Sequence, residues 1–267
     1  MRKILLGTIV PVGLAIAFSG TAYAGGFDDV SGTLSGSYAY FADGSGMNLY
    51  GVNGALTFPI TPVWTENNGI EVYGGYHAPT TGDVDMWNIG GAIYAGGKDG
   101  RIEASYTYHD LGVQSIHLHT FGLGGEWFAS PSVSVDVRGG GASGEYTSHG
   151  VFHGGSINRS VSGGFIGGQA KWYVIPDVSV SAGFDCWSAG TNIPVETLQA
   201  EWLVSESTPV ALYGGYQHFV SNGWGEDILF VGVKLFTNGA GAKTLVDRER
   251  TGSLGYITPS LAFFGEY

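Results

Sequence analysis

The chain contains few charged residues, few cations and a single cysteine. Charged side chains make up 13% of the 267 residues, and 11 Lys and Arg stand against 23 Asp and Glu, which gives a formal net charge of −12. So few cations exclude nucleic acid as a default partner, because binding to phosphate backbones requires clustered Lys and Arg. Cys186 has no second cysteine to pair with, so an internal disulfide cannot stabilise the fold.

Long apolar runs are also missing from most of the chain. After residue 24 there is no uninterrupted run of 18 apolar residues, so no transmembrane helix is expected there. The first 24 residues have the three parts of a secretory signal: a positive start at Arg2 and Lys3, an apolar stretch from Ile4 to Phe18, and the cleavage site Ala22-Tyr23-Ala24. We therefore expect residues 1–24 to be a cleaved signal peptide. The residue directly after the cleavage site is Gly25 and not a cysteine, so no lipoprotein anchor is indicated.

Glycine, in contrast, is abundant, and it is mixed with residues that favour strands. The chain has 47 Gly, 15 Tyr, 14 Phe and 7 Trp. The glycines follow no collagen period, and they alternate with Val, Ile, Tyr and Phe, which are typical of strands rather than of disordered segments. Glycine within strands permits the bends that a curved sheet needs. We see no amphipathic helix, coiled coil or linker that would define a second domain.

The stretch from Val161 to Trp187 shows the pattern most clearly. Before the turn at 175–177, Ile166, Ala170 and Trp172 share one face, and Gln169 and Lys171 share the other. After the turn, the apolar even positions from Val178 to Phe184 alternate with polar odd positions. Because side chains alternate faces along a strand, each arm has an apolar and a polar side. Both arms have the roughly ten-residue length of a tilted spanning strand.

About twelve such segments follow one another along the chain. We predict strands near 29–41, 47–60, 69–77, 84–95, 101–109, 116–128, 133–146, the two arms around 175–177, 195–204, 210–219 and 228–236. Short connections at 97–100, 130–132, 175–177 and 205–209 alternate with longer ones, notably Thr147 to Asn158 and His77 to Asp83. Short turns at one end and longer loops at the other are typical of outer-membrane barrels.

Aromatic residues on the apolar faces are sorted by height along the strands. Trp127, Trp172 and Trp202 precede short turns, whereas Tyr40 and Tyr106 lie towards the longer loops. Two aromatic belts that flank a band of Val, Ile, Leu and Ala are typical of a membrane barrel, and a soluble sandwich has no reason to sort them. We therefore predict an all-β fold, a single transmembrane antiparallel β-barrel of about 12 strands over residues 25–237. The apolar faces contact lipid, the polar faces line the lumen, and both termini are periplasmic.

With this architecture the chain resembles the porin-like family of bacterial outer-membrane β-barrels. The resemblance implies a Gram-negative outer-membrane location, a passive channel for small hydrophilic solutes, and contact with membrane lipid, lipopolysaccharide and the barrel assembly machinery. Family members commonly end at the aromatic residue that closes the last strand, but here residues 238–267 follow. We expect them to form a C-terminal periplasmic extension or one or more additional strands.

Charged residues recur on the predicted inward faces. The predicted pore-lining residues are Glu71, Arg101, Glu103, Glu126, Asp136, Arg138, Lys171, Asp185, Glu201 and Lys234. One interpretation is a polar lumen in which these charges select solutes. The other is that opposite charges neutralise each other and fill the interior. Eight strands leave room for side chains only and sixteen leave an aqueous channel, so twelve favours a narrow channel.

All seven histidines fall at the long-loop end of the predicted barrel: His77, His109, His117, His119, His149, His153 and His218. They could bind a transition metal or titrate as a gate, but the spacing of a closed zinc site is missing. We therefore predict no cofactor and no metal.

Two other classes of function are kept as alternatives. The first is an outer-membrane barrel enzyme, a lipid acyl hydrolase or a protease, which could combine Ser115 with His117, or Ser148 with His149 and Asp110. No G-x-S-x-G motif accompanies these serines, so we predict that the protein is not an enzyme. The second alternative is a closed structural or adhesive barrel.

Overall fold

The structure is a computed structural model, and it describes most of the chain after the N-terminal segment. The described residues are 30–42, 48–60, 67–80, 85–112, 116–149, 156–188, 192–205, 209–221, 224–237 and 243–250. The predicted signal peptide, residues 1–24, lies outside them.

Twelve antiparallel strands form one closed barrel. The strands are β1 (Ser31–Phe41), β2 (Asn48–Ile60), β3 (Asn67–Pro79), β4 (Met86–Gly97), β5 (Gly100–Asp110), β6 (Ile116–Ser130), β7 (Val133–His149), β8 (Ser156–Ile175), β9 (Val178–Ser188), β10 (Asn192–Ser205), β11 (Val210–Ser221) and β12 (Trp224–Thr237). Each strand pairs with its neighbours in the sequence, and β1 pairs with β12 to close the ring. The prediction of a twelve-stranded antiparallel barrel is confirmed.

The outer surface of the barrel is apolar and exposed. Leu123 at the middle of β6 is 68% exposed and Val137 on β7 is 64% exposed, whereas Asp136 and Arg138, which flank Val137, point inwards. Trp127 and Trp172 are exposed near the short turns, and Tyr40 is exposed at the opposite end. Exposed apolar surface that surrounds the whole molecule is incompatible with water and fits the lipid interior, with aromatic side chains at its borders. The prediction that the apolar faces contact lipid therefore agrees with the exterior of the barrel.

The two ends of the barrel differ in their connections. Two-residue turns join β4 to β5, β6 to β7 and β8 to β9 at what we call the short-turn end. Most connections at the other end, the long-loop end, span five or six residues. The predicted long loop from Thr147 to Asn158 is wrong in its bounds. Strand pairing continues to the rung His149–Ser156, so β7 and β8 extend beyond their neighbours and only residues 150–155 connect them.

One short helix, α1 (Leu245–Arg250), follows the last strand. The backbone N–H of Asp247 donates to Oγ1 of Thr244 at 3.2 Å, and the N–H of Thr244 donates to the Asp247 carboxylate at 3.1 Å. This reciprocal pair is a capping box, and it explains why a helix begins here although the sequence pattern did not indicate one. No helix in the described part of the chain is long and apolar enough to cross a membrane.

Candidate solute path through the barrel

All ten predicted pore-lining residues lie on the inward face of the barrel. Glu71, Arg101, Glu103 and Glu201 are buried there, and the other six are partly buried. They lie mainly in the half of the lumen next to the short-turn end. Their role in lining a pore remains a prediction, but their position is the one that the alternating pattern indicated.

The two arginines of this group each bind a carboxylate. Arg101 and Glu126 face each other on one rung of β5 and β6, and their side chains approach to 2.7 Å. Arg138 on β7 makes two hydrogen bonds to Asp185 on β9, at 3.0 Å from Nε and 2.8 Å from a terminal nitrogen. This is the bidentate geometry in which an arginine–carboxylate pair is strongest.

A glycine between the two strands makes the second pair possible. On β8, Gly167 lies on the same rung as Arg138 and also on the same rung as Asp185. A Cβ atom at position 167 would collide with the Asp185 carboxylate. The missing side chain therefore lets Arg138 reach across β8 to the second strand along.

The two lysines of the group form a network with carboxylates from the barrel and from α1. Lys234 on β12 donates to both oxygens of Glu201 on β10, at 2.8 and 2.7 Å, and Glu201 is only 2% exposed. Lys171 on β8 donates to Glu249 of α1 at 2.9 Å, and Lys234 lies 3.9 Å from the same carboxylate. The sequence pattern missed Glu249, because it lies after the last predicted strand.

Glu249 is held as a carboxylate by its surroundings. Burial acts to raise the pKa of Glu249, but the positive charges of Lys171 and Lys234 outweigh it, together with hydrogen bonds from Lys171 and from Tyr173, whose hydroxyl donates at 3.0 Å. The pKa of Glu249 therefore lies below its ordinary value, and the group is ionised at neutral and mildly acidic pH.

The rest of α1 is anchored in the mouth of the barrel at the short-turn end. Leu245 is completely buried, and it packs in a small apolar group with Leu203, Ala211 and Phe236. Its backbone N–H donates to the Asp177 carboxylate in the β8–β9 turn at 3.3 Å. On the other side of the mouth, the Arg250 guanidinium donates to the backbone oxygens that flank the β6–β7 turn, at 2.7 and 3.3 Å. Part of the predicted C-terminal extension thus enters the barrel mouth.

The inward face is polar only in part, which differs from our prediction. Large apolar side chains fill the inward face in the long-loop half of the barrel. This apolar cluster consists of Ala39, Phe41, Leu49, Met86, Leu111, Ile116, Leu118, Ala142, Phe165, Trp187, Ile193, Val195, Phe219, Ile228 and Phe230. A signal was present in the sequence, because at the strand ends near the long loops large apolar residues occupy the positions that carry polar residues elsewhere in the same strands.

The histidines are divided between the two faces of the sheet. His77 and His109 point inwards, whereas His117, His119 and His218 point outwards beside tyrosines, as in the 2.7 Å hydrogen bond between His119 and Tyr106. Within the described residues, no group of three or more His, Cys, Asp or Glu could hold a metal ion. His153 and Ser115, and the side chains of Ser148 and His149, lie outside what the structure describes. Both serine constellations therefore remain untested.

Comparison with known proteins identifies the fold. No known protein family matches the sequence, and no curated protein matches it. Among solved structures, the NanC porin in a rhombohedral crystal form aligns with a TM-score of 0.53 and 11% identity over 76% of this chain and 98% of that chain. The KdgM porin, also solved in complex with disordered oligogalacturonate, aligns with a TM-score of 0.50 and 9% identity over the same fractions. At these identities the likeness is one of fold, and the chain folds as a porin-like barrel.

Proposed function

We propose that the protein is an outer-membrane channel through which small hydrophilic solutes diffuse passively. The observation that carries the proposal is a closed twelve-stranded barrel with a lipid-facing exterior and a ring of Asp, Glu, Arg and Lys side chains, the inward ring, on its inward face. Ionised groups inside a membrane protein are costly unless they meet water or each other, and they mark solute paths. The proposal includes insertion by the barrel assembly machinery, contact with lipopolysaccharide, and no enzymatic activity.

The lumen of such a channel is narrow. Twelve strands lie between the eight that leave no channel and the sixteen that leave a wide one. The cations of the inward ring do not project freely, because each of Arg101, Arg138, Lys171 and Lys234 lies within 4.0 Å of a carboxylate. Mixed and paired charges give weak ion selectivity rather than strong selection for one sign. A solute that crosses the short-turn end of the barrel must also pass α1.

Recordings in planar bilayers test the proposal. We expect the purified protein to give stepwise conductance. Arg138→Glu should shift the ion preference of the channel towards cations, because it adds negative charge beside Asp185. Lys98→Glu is the matched control, since it makes the same charge change at an exposed turn between β4 and β5. Heat-modifiable migration in electrophoresis checks that each variant folds. The proposal is contradicted if many insertion attempts give no conductance, or if Arg138→Glu and Lys98→Glu shift the ion preference equally.

A closed structural barrel is the second candidate, because two features of the interior favour it. The apolar cluster occupies the long-loop half of the lumen, and α1 occupies the short-turn mouth. A closed barrel would leave liposomes impermeable to arabinose and to larger sugars, whereas a channel makes them swell at a rate that falls with solute size. Swelling equal to that of protein-free liposomes for every solute supports the structural role.

A further inference from the structure

The helix α1 spans the short-turn mouth from one wall of the barrel to the opposite wall. On one side, Leu245 shares an apolar group with Phe236 of β12, and the Arg248 guanidinium lies 5.4 Å from the centre of the same Phe236 ring. On the other side, the Arg250 guanidinium lies 4.6 Å from the centre of the Phe128 ring of β6. In the closed ring of twelve strands, β6 and β12 are six positions apart, so they face each other across the lumen.

The width of α1 is close to that of the opening it spans. Twelve strands that lie about 4.8 Å apart and are tilted by about 40° enclose a backbone diameter of about 24 Å. Inward side chains take about 5 Å from each side, since packed sheets lie about 10 Å apart, and about 14 Å remains. An α-helix with its side chains is about 10–12 Å wide. The docked helix therefore leaves little room for a solute to pass beside it.

The barrel does not depend on α1 for its own closure. Every strand pairs with its two neighbours, and β1 pairs with β12, without any contribution from the helix. Within the six residues of α1 only Leu245 is buried, and the other contacts of the helix are mainly polar. Isolated helices of fewer than about 12 residues are marginal in water, so α1 is stable only while it is docked. The helix can therefore leave the mouth as one unit while the barrel stays intact.

Departure of α1 changes the charge of the mouth. With the helix docked, Lys171 and Lys234 lie beside two carboxylates, those of Glu201 and Glu249, so the four charges sum to zero. Glu249 leaves with the helix, whereas Glu201 belongs to β10 and stays in the wall. The wall then keeps one net positive charge among these groups, and a positive pore lining favours anions.

We infer that α1 is an autoinhibitory plug: the docked helix closes the short-turn mouth, and its release opens the channel and exposes Lys171 and Lys234 to the solute. This inference rests on the proposed channel function and adds its regulation. The closed and the open barrel are then two states of the same protein, and the ion pair between Lys171 and Glu249 sets the balance between them.

Single-channel recordings of two variants test the plug, because they break the same ion pair from opposite sides. Glu249→Gln and Lys171→Gln should each increase the fraction of time that the channel is open at least about tenfold, since the loss of one partner of a buried ion pair shifts an equilibrium by roughly a hundredfold. In a salt gradient, the reversal potential should show that the open state of Glu249→Gln prefers anions more than that of Lys171→Gln, which has lost one positive charge from the wall. The matched control is Asp99→Asn, which removes a negative charge from an exposed turn at the same end of the barrel and should change neither quantity.

A reversible cross-link separates the position of α1 from the effect of the substitutions. The backbone N–H of Val246 donates to the backbone oxygen of Pro176 in the β8–β9 turn at 3.1 Å, so cysteines at these two positions can be joined by a short, cleavable thiol cross-linker while the helix is docked. In the Cys186→Ser background, the cross-link should return Glu249→Gln to the open fraction of its parent, and cleavage of the cross-link should restore the higher value. Heat-modifiable migration in electrophoresis checks that each variant folds.

Two results would overturn the inference, and they differ in what they say about the channel. A thiol label at Leu245→Cys reports the release of α1 independently of conductance, because Leu245 is completely buried in the docked helix. If the label shows release but the conducting variants open no more often than the parent, or if the cross-link does not close them, α1 is not a plug and the channel proposal stands. If the label shows release and neither the parent nor any variant conducts, the lumen is closed elsewhere, and the channel proposal fails together with the plug.

Discussion

Substitution of Glu249 by Gln should release α1 from the mouth of the barrel. The carboxylate accepts hydrogen bonds from Lys171 at 2.9 Å and from Tyr173 at 3.0 Å, and it lies 3.9 Å from Lys234. Glutamine has the same shape and keeps one oxygen acceptor, but it has no charge. The substitution therefore leaves Lys171 without its closest counter-charge in a largely buried position.

The size of the effect follows from the burial of the pair. The Glu249 side chain is 12% exposed and that of Lys171 is 19% exposed, so water screens the pair only weakly. Breaking a buried ion pair by removing one partner costs about 3–5 kcal/mol. Because Glu249→Gln keeps the hydrogen bond from Tyr173, we use the lower end, about 3 kcal/mol, which corresponds to roughly a hundredfold change in the docking equilibrium.

Chemical labelling of a cysteine introduced at position 245 measures the docking equilibrium of α1. Leu245 is completely buried when α1 is docked, so a cysteine at this position reacts only when the helix leaves. The assay uses Leu245→Cys in a Cys186→Ser background, which removes the one native cysteine. A membrane-impermeant maleimide should then label the Glu249→Gln variant roughly a hundredfold faster than its parent.

The control for this assay is Glu196→Gln. It removes the same charge from an exposed position on β10 towards the long-loop end, far from α1, and should leave the labelling rate unchanged. Less than about a threefold acceleration in Glu249→Gln would mean that the ion pair contributes under 1 kcal/mol and that other contacts hold the helix. Equal acceleration in both variants would also refute the reasoning.

Three other predictions concern pH, packing and the membrane. The pKa of Glu249 is lowered in the docked state, so its contribution to docking is complete above the ordinary Glu pKa and is lost as the pH falls through the lowered pKa. A nitroxide spin label at Lys243→Cys, in the Cys186→Ser background, reports whether α1 is docked. The label should stay immobile at pH 5–8 and become mobile only below about pH 4. Mobility that changes between pH 6 and 8 contradicts this assignment. Gly167→Ala should break the Arg138–Asp185 pair and destabilise the barrel by about 2 kcal/mol in urea titrations, whereas Gly97→Ala, where an added Cβ meets nothing within 4 Å, should change stability by less than about 0.5 kcal/mol. Leu123→Arg at the lipid-facing middle of β6 should cost about 2–4 kcal/mol in the same titration, and Asp99→Arg in an exposed turn should be neutral; equal losses would mean that Leu123 does not face lipid.

The strands and their faces could be predicted because the alternation is local. Each strand needs only its own residues to show which side is apolar, and this is why the inward position of Arg101 or Glu201 follows from the sequence alone. The pairs could not be predicted in the same way. Arg138 meets Asp185 only because the registers of β7, β8 and β9 align Gly167 between them, and register is a property of three strands together.

The ends of the lumen were predicted least well, again for physical reasons. The partner of Lys171 is Glu249, 78 residues later in a helix of six residues, which is less than two turns and too short to show an amphipathic pattern. The apolar cluster was missed because its members, such as Phe219 and Ile228, follow the strand alternation but with an apolar residue on the inward side as well. The alternation predicts which residues share a face of the sheet. Only the closed barrel shows which side chains meet in its interior.

The rung that joins β1 to β12 has a consequence for assembly. The Thr237 hydroxyl reaches the backbone oxygen of Gly32 across 205 residues, so this seam is the most distant pairing in the chain and the slowest to find. The lysines that hold Glu249 come from β8 and β12, so their meeting depends on a fully curved wall. A nascent polypeptide can therefore seat its C-terminal turn only after β8 to β12 have paired and curved, and a protected Leu245 would report that stage of insertion.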